Sequence, residues 1–246
     1  MALDPRNIVI LKGIVSIAEL PAAKTVAADH TAGTLACAAH GFADGDSLMI
    51  WAGTGGTVPA GLTAGNSYFV TAEAAGTFKL AATAGGAAVA LTSDGTGPIF
   101  VQKLAWTDLG EAPKCTWTPK VEKKTHESSR TATPTTDKTV ISKTSATVAI
   151  DVEEINTFNF ALLTGGTAIG NIVTLLDQPA RTVALRVNGT NDGQQLLLEV
   201  PRITLTPSGG LDFIGSDWAK GSVEGESEAI DGHPWPFGRV TFLPPT

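Results

Sequence analysis

Glu224, Glu226 and Glu228 form the sharpest chemical pattern in the chain: three carboxylates at a spacing of two. On a strand, residues two apart project from the same face, so the spacing predicts a single row of like charge. Like charges that close repel across a sheet. Such a row is either the solvated outer face of an edge strand or a lining that must not hold anions. Two other segments carry a polar face at the same period. One sets Thr116, Thr118, Lys120, Glu122 and Lys124 against Cys115, Trp117 and Val121. The other sets Lys143, Ser145, Thr147 and Asp151 against Val140, Ala146, Val148 and Ile150. The polar face is therefore expected to mix Lys120, Lys124 and Lys143 with its glutamates.

Other candidate chemistry dissolves on inspection. His30, His40, His126 and His233 share no metal-ligand spacing with one another or with Cys37 and Cys115. Asp44-Gly45-Asp46 lacks the ligand series of a calcium loop. Gly53-Thr54-Gly55-Gly56-Thr57 has the glycines of a phosphate loop without its Lys-Ser/Thr. Gly215-Ser216-Asp217 does not make a nucleophile elbow, and Asn188-Gly189-Thr190 reads as a hairpin tip rather than a glycosylation acceptor. Glu153-Glu154 reads as helix N-terminal charge. No enzyme activity, cofactor or metal is expected.

The elements that would carry the polar faces are long. The arms Cys115–Glu127 and Thr139–Ile150 alternate with period two and flank a polar tip, residues 128–138, with no apolar anchor. Strands usually run about 5–6 residues, and arms of this length leave edges that a partner must cover. A helix is predicted over residues 151–166, with Val152, Ile155, Phe158 and Leu162 on one face, acids at its start and Gly165-Gly166 as its stop. Beyond it, residues 181–187 and 194–205 read as strands joined through the hairpin signal Asn188–Gly193. Residues 220–230 and 238–243 are further strands. With common Val, Ile and Thr, 27 glycines and 14 prolines, the chain reads as all-β with one flanking helix.

Composition divides the chain. Residues 26–97 hold 19 alanines, 13 glycines and a single Lys against five acids. Residues 41–51 read there as a turn followed by a strand, and further strands are expected at residues 66–71, 76–81 and 87–91, the pattern of a small β-sandwich or barrel. Without this segment, Ile14–Ala18 and Ile99–Trp106 would make an ordinary hairpin, so 26–97 reads as an inserted domain and residues 1–25 with 98–246 as its host. The net charge of −7 argues against a dedicated nucleic-acid binder, which would carry a basic face. No apolar run is long enough to span a membrane, and two distant cysteines point to a reducing compartment.

The host residues resemble the tail tube, or major tail, proteins of long-tailed bacteriophages. The likeness runs in order through Lys12-Gly13-Ile14-Val15, Trp106–Pro113, Val121-Glu122, His126–Ser129, the helix after the hairpin, Val200-Pro201-Arg202-Ile203 and the acidic strand near the C-terminus. Residues 26–97 separately resemble a small β module of phage tail and fibre proteins, through Ala39-His40-Gly41-Phe42, Gly45-Asp46, Val58–Leu62, Tyr68-Phe69-Val70, Thr77–Ala81 and Gly86–Val89. The resemblance implies a β-sandwich subunit of a virion. Its homo-hexameric rings would stack head to tail into a hollow tube assembled in the host cytoplasm. A tape measure protein would fill the bore, terminator and tail-tip proteins would close the ends, and double-stranded DNA would pass through without sequence recognition. Under it, Lys120, Glu122, Lys124, Lys143, Glu224, Glu226 and Glu228 would line the lumen. Ser128, Ser129, Arg130, Thr131, Pro134 and Asp137, at the hairpin tip, would meet the next ring and become ordered there. Most plain tube proteins lack an insertion at the place of 26–97, which is expected on the outer surface. Two other readings remain at this stage: a glycan-binding adhesin using Trp51 and Tyr68, or the tube of a contractile injection device.

Overall fold

The structure, a computed structural model, describes residues 12–128, 135–191, 194–211 and 220–243. In chain order the strands begin with β1 (Lys12–Glu19), β2 (Lys24–Asp29), β3 (Thr34–Ala36), β4 (Ser47–Ala52), β5 (Ser67–Ala74), β6 (Thr77–Ala81), β7 (Ile99–Lys103) and β8 (Ala105–Asp108). The long pair β9 (Lys114–Ser128) and β10 (Thr135–Val152) follows, then the helix α1 (Thr157–Thr164). After it come β11 (Thr167–Ile169), β12 (Ile172–Thr174), β13 (Arg181–Asn191), β14 (Gln194–Ser208), β15 (Gly221–Ser227) and β16 (Arg239–Leu243). The all-β class expected from composition is what the chain adopts, with one helix among the described residues. Two compact units result. The first holds residues 1–110, 181–203 and 229–246, the second residues 111–180 and 204–228.

In the first unit, β2, β3, β6, β5, β4 and β7 close into an antiparallel barrel. Closure removes the free edges that short strands would otherwise expose. The barrel strands run past the boundaries read from composition: β2 starts at Lys24 and β7 ends at Lys103. Residues 87–91 were expected to be a strand but form no named strand; Ala88 makes an isolated bridge to Ala81. The hairpin foreseen between Ile14–Ala18 and Ile99–Trp106 is divided. β8 pairs with β1 in the register Ala18↔Trp106, while β7 closes the barrel.

β4 explains why the barrel is no loose appendage. Its sequence Ser47-Leu48-Met49-Ile50-Trp51-Ala52 has no polar face, the signature of a strand covered on both sides. Leu48 and Ile50 point into the barrel core with Phe78, Leu35 and Val101. Met49 and Trp51 point outward into a second cluster with Ala18 of β1, Ala184 of β13, Leu104 and Ile230. Thr54 also donates to Asp231. Glu199 lies between two guanidiniums, 3.0 Å from Arg186 and 2.8 Å from Arg239, and Arg239 reaches Asn66 at 2.9 Å. Beside them, His233 contacts the Trp235 ring edge-on at 4.4 Å between centroids and sits 3.4 Å from the Met49 sulfur.

The second unit is a sheet in the order β14 (from Thr204), β15, β10, β9, with α1 and the β11–β12 hairpin beside it. Here the predicted helix is corrected. Residues 151–152 finish β10, and α1 begins only at Thr157. Asn156 caps it, its side chain accepting from the Asn159 N–H at 2.8 Å, so Glu153 and Glu154 precede the helix instead of opening it. Val152 keeps its apolar place on the strand, and Ile155 is exposed. The helix ends where Gly165-Gly166 predicts. Gly165 takes φ 61°, the left-handed conformation, and the Gly166 N–H reaches the Ala161 carbonyl at 2.7 Å. Gly221 on β15 lets the helix lie close, because a Cβ there would come within 2.8 Å of Leu163.

Candidate functional site

The β9–β10 ladder brings the predicted polar residues onto one surface of the second unit. Antiparallel partners share a face, and the register pairs Lys120 with Ser145, Glu122 with Lys143, and Thr118 with Thr147. β15 extends the same face by placing Glu226 opposite Thr147, Glu224 opposite Ala149 and Ser222 opposite Asp151. Lys120, Glu122, Lys124, Lys143, Glu224, Glu226 and Glu228 are all exposed. The other face carries Cys115, Trp117 and Val121 with Val148, Ile150 and Val223, as the alternation requires.

The acidic row is balanced by cations and hydroxyls. Lys143 Nζ donates to Glu226 Oε1 at 2.8 Å, and Lys120 lies 3.7 Å from Glu122. The hydrogen bond from Lys143 holds the Glu226 carboxyl below the usual carboxylate range, and the same contact raises the Lys143 ammonium. Thr204 Oγ1 donates to Glu228 at 2.6 Å, and Ser222 Oγ donates to Asp151 at 2.6 Å. The polar surface thus carries both signs of charge, with Lys143 paired to Glu226 and Lys120 near Glu122. Burial on the opposite side pushes the Cys115 thiol up to about 11.

Three expectations change. The predicted tip spans residues 128–138, but β9 runs to Ser128, paired with Thr135 as β10 begins. Ser128 and Asp137 therefore belong to strands, Asp137 at the register shift between Thr136 and Lys138. Threonine-rich sequence favours the strand, and the shift absorbs the extra residue. Ser129, Arg130, Thr131 and Pro134 lie outside the described residues. Val140 was placed with Ala146, Val148 and Ile150, yet a second shift between Ile141 and Lys143 pairs it with Lys124 on the polar side. Nothing in a period of two announces that irregularity. Finally, the strand expected over residues 220–230 ends at Ser227, while Ser145, though buried, keeps its place beside Lys120 on the polar side. Ala229 lies past the end of β15. There Ser227 turns inward instead, and its Oγ accepts the Ala146 N–H at 3.0 Å.

Among the described residues, the distal half of the hairpin is exposed on both faces. Trp117, Val121, Val140 and Ile141 are 40%, 46%, 49% and 60% exposed, although large aliphatics on a strand normally find a core. Among the described strands, β9 forms the end of its sheet, hydrogen-bonded to β10 alone.

The family described as "Protein of unknown function UCP028589" matches the chain over residues 92–171. That stretch runs from the last barrel strand through the long hairpin and α1 to the β11–β12 hairpin. None of the curated proteins matches the chain.

Proposed function

We propose that this chain is a structural tube subunit of the tail-tube type, assembling as hexameric rings that stack into a hollow conduit for double-stranded DNA. The observation that carries the reading is the long β9–β10 hairpin, with a charge-balanced polar face, uncovered apolar side chains and an open edge. A sheet edge of fifteen residues invites pairing with another chain, and ring closure of such sheets would remove every edge at once.

The polar face suits a lining past which phosphates slide. A basic lining would capture DNA by releasing its counterions. Here Lys120 lies near Glu122, and Lys143 is already engaged by Glu226. In this reading the tape measure protein fills the bore before DNA, terminator and tip proteins cap the ends, the virion tail is its location, and the barrel projects outward. No catalytic step is assigned to it. The glycan-binding alternative loses its aromatic platform, because Trp51 and Tyr68 are 3% and 7% exposed and serve as core.

Negative-stain microscopy of the purified full chain tests the reading. Hollow rings or tubes are expected. Solid compact particles or monomers at every concentration would overturn it.

A further inference from the structure

The β11–β12 hairpin, in the second unit, carries an apolar cluster that the hairpin sheet does not use. Ile169 and Ile172 flank its two-residue turn and are 76% and 73% exposed; Leu175 and Leu176 follow at 55% and 72%. No residue from Thr167 to Leu176 is charged. The hairpin is held firmly. The Leu176 N–H reaches the Thr164 carbonyl at 3.3 Å, the Gln178 N–H reaches the Gly165 carbonyl at 2.9 Å, and a Cβ on Gly166 would collide with the Thr174 carbonyl. Leu176 is held at φ 59°, a conformation that disfavours leucine. A side chain fixed outward at such a cost, among three other bare aliphatics, is a projecting knob.

Four aliphatic side chains at these exposures leave on the order of 300 Å² of apolar surface bare, the size of the largest patch on a typical monomer. A lasting interface hides about 800 Å² on each partner, so the knob would supply the centre of one and needs a polar rim and a concave receptor. The first unit offers such a receptor. A shallow groove of about 640 Å³ crosses β1, β13, β14 and β16. Ile14, Leu196 and Leu243 line it together with the polar Asn188, Thr190 and Gln195, and none of its lining residues is charged. Ile14 and Leu243 are 52% and 36% exposed. Both surfaces are free of charge, and the apolar knob meets a concave surface that presents Ile14, Leu196 and Leu243.

We propose that the β11–β12 hairpin of one copy docks into the groove lined by Ile14 and Leu243 of a second copy. The choice of partner rests on the self-assembling reading given above. The contact is heterologous, knob to groove, so it repeats from copy to copy and closes a ring or extends a filament.

The test uses the full chain in two variants: Ile169→Ser with Ile172→Ser on the knob, and Ile14→Lys in the groove. Each changes exposed side chains, and unchanged circular dichroism and melting confirm the fold. Sedimentation velocity and negative-stain microscopy are read for the wild type, each variant, and their equal mixture. Each variant alone should associate at least about a hundredfold more weakly than wild type, which is the loss expected when a central apolar anchor is removed. The mixture should form pairs and stop there, because only one intact knob meets one intact groove. Variants that assemble like wild type would overturn the docking while leaving the tube reading intact. Wild-type particles that are solid, yet still obey the mixing rule, would uphold the docking and overturn the tube. A wild type that never associates would overturn both.

Discussion

Acid should loosen the joint between barrel and sheet through His233. Its ring is buried against Trp51, Trp235 and Met49. Burial, with the Arg239 charge adding to it, pushes the imidazole down to about 4 from the ordinary 6.5. In the folded chain His233 therefore stays neutral until pH falls to about 4, whereas in the unfolded chain it takes a proton near 6.5. The unfolded state binds more protons between those values, so stability falls with falling pH. The contribution is fully present above about pH 6.5 and is lost as the pH drops through about 4. Over that window the loss is about 3 kcal/mol, at about 1.4 kcal/mol per pH unit of separation. Urea unfolding followed by tryptophan fluorescence, at dilutions where subunits are separate, measures it. His233→Gln removes the titration, and whatever fixed packing penalty it carries does not depend on pH. The stability gap between wild type and variant should therefore shrink, or reverse, by about 3 kcal/mol between pH 7.5 and pH 4. Parallel pH profiles for the two proteins would refute the reasoning.

Replacing residues 24–103 by a short Gly/Ser linker should leave a chain that is markedly less stable in thermal melts. Leu104 and Ile230 lose the Met49 and Trp51 side chains that cover them, at about 1.5–3 kcal/mol for each large aliphatic uncovered; an unchanged melting temperature would show that the barrel is an independent attachment. Gly165→Ala should destabilise the chain by about 1 kcal/mol or more, because the left-handed φ disfavours a side chain and the new Cβ would lie 2.9 Å from the Pro179 Cα. Chemical denaturation measures that loss, and a neutral result would mean that the helix end relaxes. Cys115, its thiol pushed up to about 11, should react with a disulfide reagent at pH 8 about a hundredfold more slowly than an ordinary protein thiol, read by mass spectrometry of the labelled peptide.

Local pattern was sufficient for a large part of the fold. The period of two from Cys115 to Ile150 gave the two arms of the hairpin, and the spacing of Glu224 and Glu226 put both on one exposed face. Gly165-Gly166 ended the helix where its left-handed cap lies. These properties reside in neighbouring residues, through side-chain alternation and backbone preference, and need no distant contact. The composition break fell inside the stretch that closes into the barrel, whose strands run from Lys24 to Lys103.

What the chain could not disclose locally depended on residues far apart in sequence. Residues 151–156 have helical spacing, yet Asp151 and Val152 pair with β15, and a ladder to a strand seventy residues away outweighs a weak local preference. The shift between Ile141 and Lys143 turns Val140 to the polar side, because register is set by both strands together. The unbroken apolar run of β4 gave a buried strand but not what lay on either side; only the tertiary structure put the barrel core against Leu48 and Ile50 and the sheet against Met49 and Trp51. The same holds for the lysines and glutamates. Sequence supplied their alternation, while the side-by-side pairing of β9, β10 and β15 brought Lys143 within 2.8 Å of Glu226, because hydrogen-bonded strands place side chains together regardless of the chain length between them.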